Sequence, residues 1–204
     1  MKRTLQIIVQ TVFLILFILL FINTKIQMWM LILLLGILSS FLLGRIYCGW
    51  ICPINTVIKV VTSIKKKLHI KSFKIPKFLS KPWVRYLVMG LFIAVFIFIR
   101  ITGRNLPVLI HLFAMGILLT LFFPEELWHR YLCPYGTIMS FPASKARHSM
   151  KINADKCNNC GACRRVCPAK AVNKNIKGHE ILKAHCLVCM ECSTNCRQKA
   201  ITYK

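Results

Sequence analysis

The sequence predicts an α-helical membrane protein of four transmembrane helices with a small C-terminal α+β domain, and three observations predict it. Apolar residues make up 56% of the 204-residue chain, with a mean hydropathy of +0.59, too apolar for an ordinary soluble domain. They gather into four runs, at 5–23, 28–43, 84–101 and 108–123. Each is near the lower limit of what a helix needs to cross the hydrocarbon core, a deficit that extended ends cover. Third, near residue 150 these runs give way to a polar, basic, cysteine-dense tail. The expected organisation is therefore a membrane domain at 1–150 and a second domain at 151–204.

Charge placement orients the runs. Lys and Arg number 29 against five acids. With the N-terminus inside, 26 of these bases fall on inside segments and three, Lys25, Arg100 and Arg104, on outside loops. This is the positive-inside distribution, and it places a multi-pass chain in the cytoplasmic membrane with both termini cytoplasmic. A net charge of +24 raises the question of nucleic acid, but no binding motif for it is present. The bases instead suit anionic membrane lipids, each contributing about 1 kcal/mol near the surface. The segment 1–23 imitates a signal peptide, yet no small-residue cleavage pattern follows it, so it reads as a retained helix.

The membrane domain contains an internal repeat. Tyr47-Cys48-Gly49-Trp50-Ile51-Cys52-Pro53 aligns with Trp128-His129-Arg130-Tyr131-Leu132-Cys133-Pro134, each copy after a pair of spans, so both are expected at the cytoplasmic face. After the first copy, Ile54, Val57, Ile58, Val61, Ile64 and Leu68 recur at helical spacing, with Lys59 and Lys65 to Lys67 elsewhere around the turn. Two readings stand: a basic amphipathic helix in the headgroup region, or a surface helix packed on neighbouring spans.

Eleven cysteines facing a reducing compartment are not disulfide staples. The tail contains Cys157-x2-Cys160-x2-Cys163-x3-Cys167-Pro168 and Cys186-x2-Cys189-x2-Cys192-x3-Cys196. Both are runs of the bacterial ferredoxin type, in which three cysteines hold one cluster and the fourth crosses to the other. One [4Fe-4S] cluster is thus assigned Cys157, Cys160, Cys163 and Cys196, and a second Cys186, Cys189, Cys192 and Cys167. Arg197 stands where a closing proline is usual, which removes no ligand. A strand and turn are expected within 169–184, with 199–203 pairing back, and ligation supplies much of the folding energy of so small a domain. Zinc is the competing reading, but zinc sites pair separated C-x2-C units rather than uniform triplets.

Cys48, Cys52 and Cys133 remain, and His129 takes the place in the second motif that Cys48 has in the first. An i, i+4 pair shares a helical face, so these four residues either close an additional metal or redox site or are buried thiols and an interfacial imidazole. His111, the one histidine in an expected span, is either a hydrogen-bond partner for a quinone headgroup or an imidazole bonded to a neighbouring carbonyl. A bis-histidine haem needs a second such residue.

On the stretches Gly44-Arg45-Ile46-Tyr47-Cys48-Gly49-Trp50-Ile51-Cys52-Pro53 and Arg130-Tyr131-Leu132-Cys133-Pro134-Tyr135-Gly136-Thr137, together with the double cysteine run, the chain resembles the NapH/MauN family of membrane iron-sulfur proteins. The likeness covers nearly the whole length, with His129 departing from the family's cysteine. It implies an electron-transfer subunit of an oxidoreductase system, related to quinol-oxidising subunits of periplasmic nitrate reductase systems. The expected function is a relay between the quinone pool and a redox partner, a ferredoxin-like carrier or a reductase subunit. Copper-binding or copper-reducing assembly of another enzyme is the alternative, and a redox sensor ranks third.

Overall fold

The computed structural model describes residues 2–103, 108–175 and 178–204, without the side chains of Lys2 and Arg100. Arg104, counted above among the outside bases, and the centre of the turn expected within 169–184 lie outside the described residues. The chain packs as two compact units, Met1–Cys52 with Ile138–Lys204, and Pro53–Thr137. Composition divides the chain at residue 150, whereas packing gathers the first two helices and the tail into one unit.

In the first unit, α1 (Lys2–Ile22) and α2 (Trp29–Leu43) are predominantly apolar helices joined by a 3₁₀ turn at Ile26–Met28. Trp29 ties them together. Its ring is fully buried, meets Phe13 and Phe17 edge-on at 6.4 and 5.1 Å, and its Nε1–H donates to Tyr47 Oη at 2.8 Å. α2 stops at Gly44, whose φ of 66° suits a residue without a Cβ. The outer face of α2 shows Leu31, Leu34, Leu35 and Leu38, a contiguous apolar surface of the kind that lipid covers.

The tail forms two antiparallel strand pairs and two short helices. β1 (Met150–Ile152) pairs with β4 (Ile201–Tyr203), and β2 (Val172–Asn175) with β3 (Gly178–Ile181). α7 (Ala162–Val166) and α8 (Glu191–Thr194) pack between them. Met150, Cys163, Val172, Ile181, Cys192 and Ile201 form the core. Cysteines hold core positions because the domain is too small to bury many aliphatic side chains.

In the second unit, α3 (Pro53–Lys67) packs along α5 (Val108–Phe122), and α4 (Pro82–Thr102) packs against the turn Leu127–Leu132. Ile54 and Ile58 are buried, so the inner stripe of α3 faces protein, while Ile64 and Leu68 remain exposed. Lys65, grouped with the bases elsewhere around the turn, is instead buried, on the apolar stripe four residues after Val61. Its Nζ donates to Thr120 O at 2.8 Å, Phe123 O at 3.5 Å and Ser72 Oγ at 2.9 Å. An ammonium there caps the free carbonyls and negative dipole end of α5, and burial lowers its pKa.

Among the described residues three helices are long and apolar enough to cross a membrane: Arg3–Ile22, Ile26–Leu43 and Pro82–Ile99. The apolar helix Val108–Phe122 has 15 residues, and at about 1.5 Å per residue it rises short of the ~30 Å hydrocarbon core.

Candidate metal centre

The two repeat motifs take the same local form, each within its own unit. Tyr47–Ile51 and Leu127–Leu132 are π-helical, closed by Cys52 N–H to Tyr47 O and Cys133 N–H to Trp128 O, both at 2.9 Å. Cys52 and Cys133 then turn extended, with ψ of 118° and 110°, because the following proline disfavours helical geometry before it. Pro53 and Pro134 start α3 and α6 (Pro134–Ser144), the position where a missing N–H costs nothing. The i, i+4 geometry expected of an α-helix is therefore corrected to a wider turn. Each wide turn presses an aromatic ring on a glycine. A Cβ at Gly36 would lie 2.7 Å from the Tyr47 ring, and one at Gly116 2.9 Å from the Trp128 ring.

In the tail, Cys157, Cys160, Cys163 and Cys196 line one cavity together with Ile152 and Ile201. Cys167, Cys186, Cys189 and Cys192 line another with Met150 and Val172. The two runs repeat an unusual backbone. Asn159 and Val188, two residues after the first cysteine, Gly161 and Met190, one after the second, and Lys170 and Lys199, three after the fourth, all have φ between 46° and 69°. Left-handed residues in a helical turn curl successive N–H groups toward one point, a concavity that suits an anion. Ala171 N–H donates to Cys167 Sγ at 3.2 Å and Val188 N–H to Cys186 Sγ at 3.5 Å. A left-handed valine is costly and persists only when its surroundings enforce it. Here Trp50 Nε1–H holds Val188 O at 3.0 Å.

The donor set fits a cluster. Four thiols line each cavity, and a multi-iron core accepts thiolates spread in this way. Burial pushes the Cys186 thiol up to about 11 and raises Cys192 and Cys163 as well. Without iron these groups stay protonated, so metal entry and loss of protons are one event.

The first π turn docks on the second cysteine run. A Cβ on Gly49 would strike the Leu187 carbonyl, so only glycine allows that approach. Gly49 O accepts from Gln6 Nε2 at 2.9 Å and Gln10 Nε2 at 2.7 Å. Tyr203 Oη–H donates to Leu43 O at 3.0 Å and Lys183 Nζ to Ala146 O at 3.2 Å. Leu187, Val188 and Cys189 are buried, whereas Cys160 is exposed.

Cys48 is buried, its Sγ 3.6 Å from Met139 Sδ and 3.7 Å from Arg45 Nη2. It shares the first unit with Cys52, while His129, buried, and Cys133, whose Sγ accepts from Gly136 N–H at 3.3 Å, belong to the second. His111 is exposed on α5 beside a buried Leu112. Sequence reasoning missed Arg45, Met139 and the glutamine pair. Gln6 and Gln10, one helical turn apart in an apolar span, carried a signal; burial of Arg45 and Met139 did not.

Comparison with known proteins follows the same residues. A family model described as a 4Fe-4S binding domain matches residues 26–71, which include Cys48 and Cys52. A 4Fe-4S dicluster domain matches residues 131–171, which include Cys133 and the first cysteine run. An uncharacterised protein of Methanocaldococcus jannaschii is 30% identical over 83% of this chain and 68% of its own length. The putative electron transport protein YccM of Escherichia coli is 26% identical over 82% and 53%. The ferredoxin-type protein NapH of Haemophilus influenzae is 27% identical over 78% and 62%. The chain belongs to the NapH/MauN-type iron-sulfur proteins. It spans about half the length of YccM and under two thirds of this NapH. No solved structure matches it.

Proposed function

We propose that this NapH/MauN-type chain is a membrane-bound electron-transfer protein that binds two [4Fe-4S] clusters and links the quinone pool to a redox partner protein. Cys157, Cys160, Cys163 and Cys196 hold the first cluster, and Cys186, Cys189, Cys192 and Cys167 the second. The observation that carries this reading is the division of eight cysteines between two cavities, each taking three from one run and the fourth from the other. When bound, the clusters supply one-electron storage and transfer. The residues around them do the rest. Backbone N–H groups stabilise sulfur charge, and the apolar core limits water, both of which set the potential. Arg164, Arg165, Lys170 and Lys174 are exposed on the tail and attract an acidic carrier.

In the membrane, α1, α2, α4 and α5 are proposed as four spans, α5 completing its crossing through flanking residues, with both termini cytoplasmic. His111, exposed on α5, is the proposed contact for a quinone headgroup. Reduced protein in detergent is expected to be reoxidised by a short-chain quinone analogue, and more slowly in His111→Phe. Clusters that no quinone analogue reoxidises would overturn the quinone link.

A second reading has one observation behind it. Cys48 and Met139 form a buried thiol–thioether pair, the soft donor type that takes Cu(I). The Arg45 guanidinium beside Cys48 opposes another cation there, which ranks copper assembly below the relay. Copper that binds stoichiometrically in wild type and is lost in Met139→Leu would reverse that order.

A further inference from the structure

Arg45 is 2% exposed, and a guanidinium does not give up its proton in a protein. Its charge is therefore buried as a charge, which is costly unless balanced. Its partners do not balance it. Nη1 donates to Ala184 O at 3.4 Å, Nη2 to Cys48 Sγ at 3.7 Å, and Nε has no partner. Neither partner is a carboxylate. Lys65, another buried cation, reaches two carbonyls and a hydroxyl, whereas Arg45 reaches one carbonyl and one thiol and leaves Nε unpaired. The guanidinium instead stands beside the second cysteine run, since its bond to Ala184 O falls two residues before Cys186. The contact of Gly49 with Leu187 O and the bond from Trp50 to Val188 O fix that separation.

A four-iron cluster ligated by four thiolates is an anion, and its negative charge grows by one on reduction. It supplies what Arg45 lacks. We propose that Arg45 is the buried counter-cation of the cluster held by Cys186, Cys189, Cys192 and Cys167, and that it selectively raises that cluster's reduction potential. The inference rests on the cluster assignment proposed above and adds a residue that sets the order of the two potentials. Among the described residues the arginines of the first run, Arg164 and Arg165, are exposed, and water screens them.

The test is a redox titration followed by electron paramagnetic resonance on the anaerobically purified full chain, with iron and sulfide measured on each sample. In Arg45→Gln one cluster is expected to lose at least tenfold in its reduced-to-oxidised ratio at fixed potential, which is 59 mV for a one-electron couple. The other cluster should keep its midpoint. Arg45→Lys, which retains the charge, should keep most of the wild-type value, and Arg164→Gln should move neither midpoint as far. Fully loaded Arg45→Gln with both midpoints unchanged overturns the role of Arg45 while leaving the clusters standing. So does Arg45→Lys with a shift as large as that of the glutamine variant. Wild-type protein without acid-labile sulfide overturns the cluster assignment and this inference with it.

Discussion

Cys186 shows how single residues couple chemistry to folding. Its thiol is pushed up to about 11 from an ordinary 9.0, chiefly by burial, with Val188 N–H and Arg45 pulling the other way. Iron must displace that proton, so protons compete with metal. Iron retained against a chelator is therefore expected to fall as pH drops from about 8 to about 6; retention independent of pH would contradict ligation by these thiols. In iron-free protein the sign reverses. The fold keeps a proton that the unfolded chain releases, so stability is intact below pH 9.0 and falls as pH rises toward 11, by about 3 kcal/mol for this group. The unfolding midpoint of iron-free protein across that window measures it. Gly49 is the second residue with a sharp prediction. Gly49→Ala puts a methyl group against the rigid Leu187 carbonyl, and roughly 1–3 kcal/mol of strain should loosen the docking. Thermal loss of the cluster absorbance should come at lower temperature than in wild type; an unchanged midpoint would mean that this contact is not tight.

At the scale of elements, the π turn recurs once in each packing unit. Its spacing was legible, since Cys48 aligns with His129 and Cys52 with Cys133. Its geometry was not, because a π turn differs from an α turn only in one extra residue, and what holds it is tertiary: Tyr47 against Gly36, Trp128 against Gly116. Gly116→Ala is expected to lower the unfolding midpoint in detergent through an overpacking cost of roughly 1–3 kcal/mol; no change would show that the ring moves freely. Periodicity likewise found the apolar stripe of α3 but could not name its partner, which for Ile54 and Ile58 is protein. Lys65 was misassigned by its charge and not by its period, since it follows Val61 by four residues and so falls on that stripe. The ferredoxin runs were the most legible feature, since their ligand spacing is local.

Across the whole molecule, composition announced a membrane protein and cysteine spacing announced iron and sulfide. The apolar runs correspond to helices, three of spanning length and one shorter, while packing joined the tail to α1 and α2, a long-range pairing that no local pattern encodes. The charge asymmetry predicts that a reporter fused after Lys204 is active only in the cytoplasm; periplasmic activity would contradict the proposed topology. The central claim is that the tail thiols hold two clusters. Anaerobically purified full chain, assayed together for metals and acid-labile sulfide, tests it most directly. About eight iron atoms and about eight sulfides per chain are predicted, and stoichiometric zinc or protein without sulfide would contradict the account.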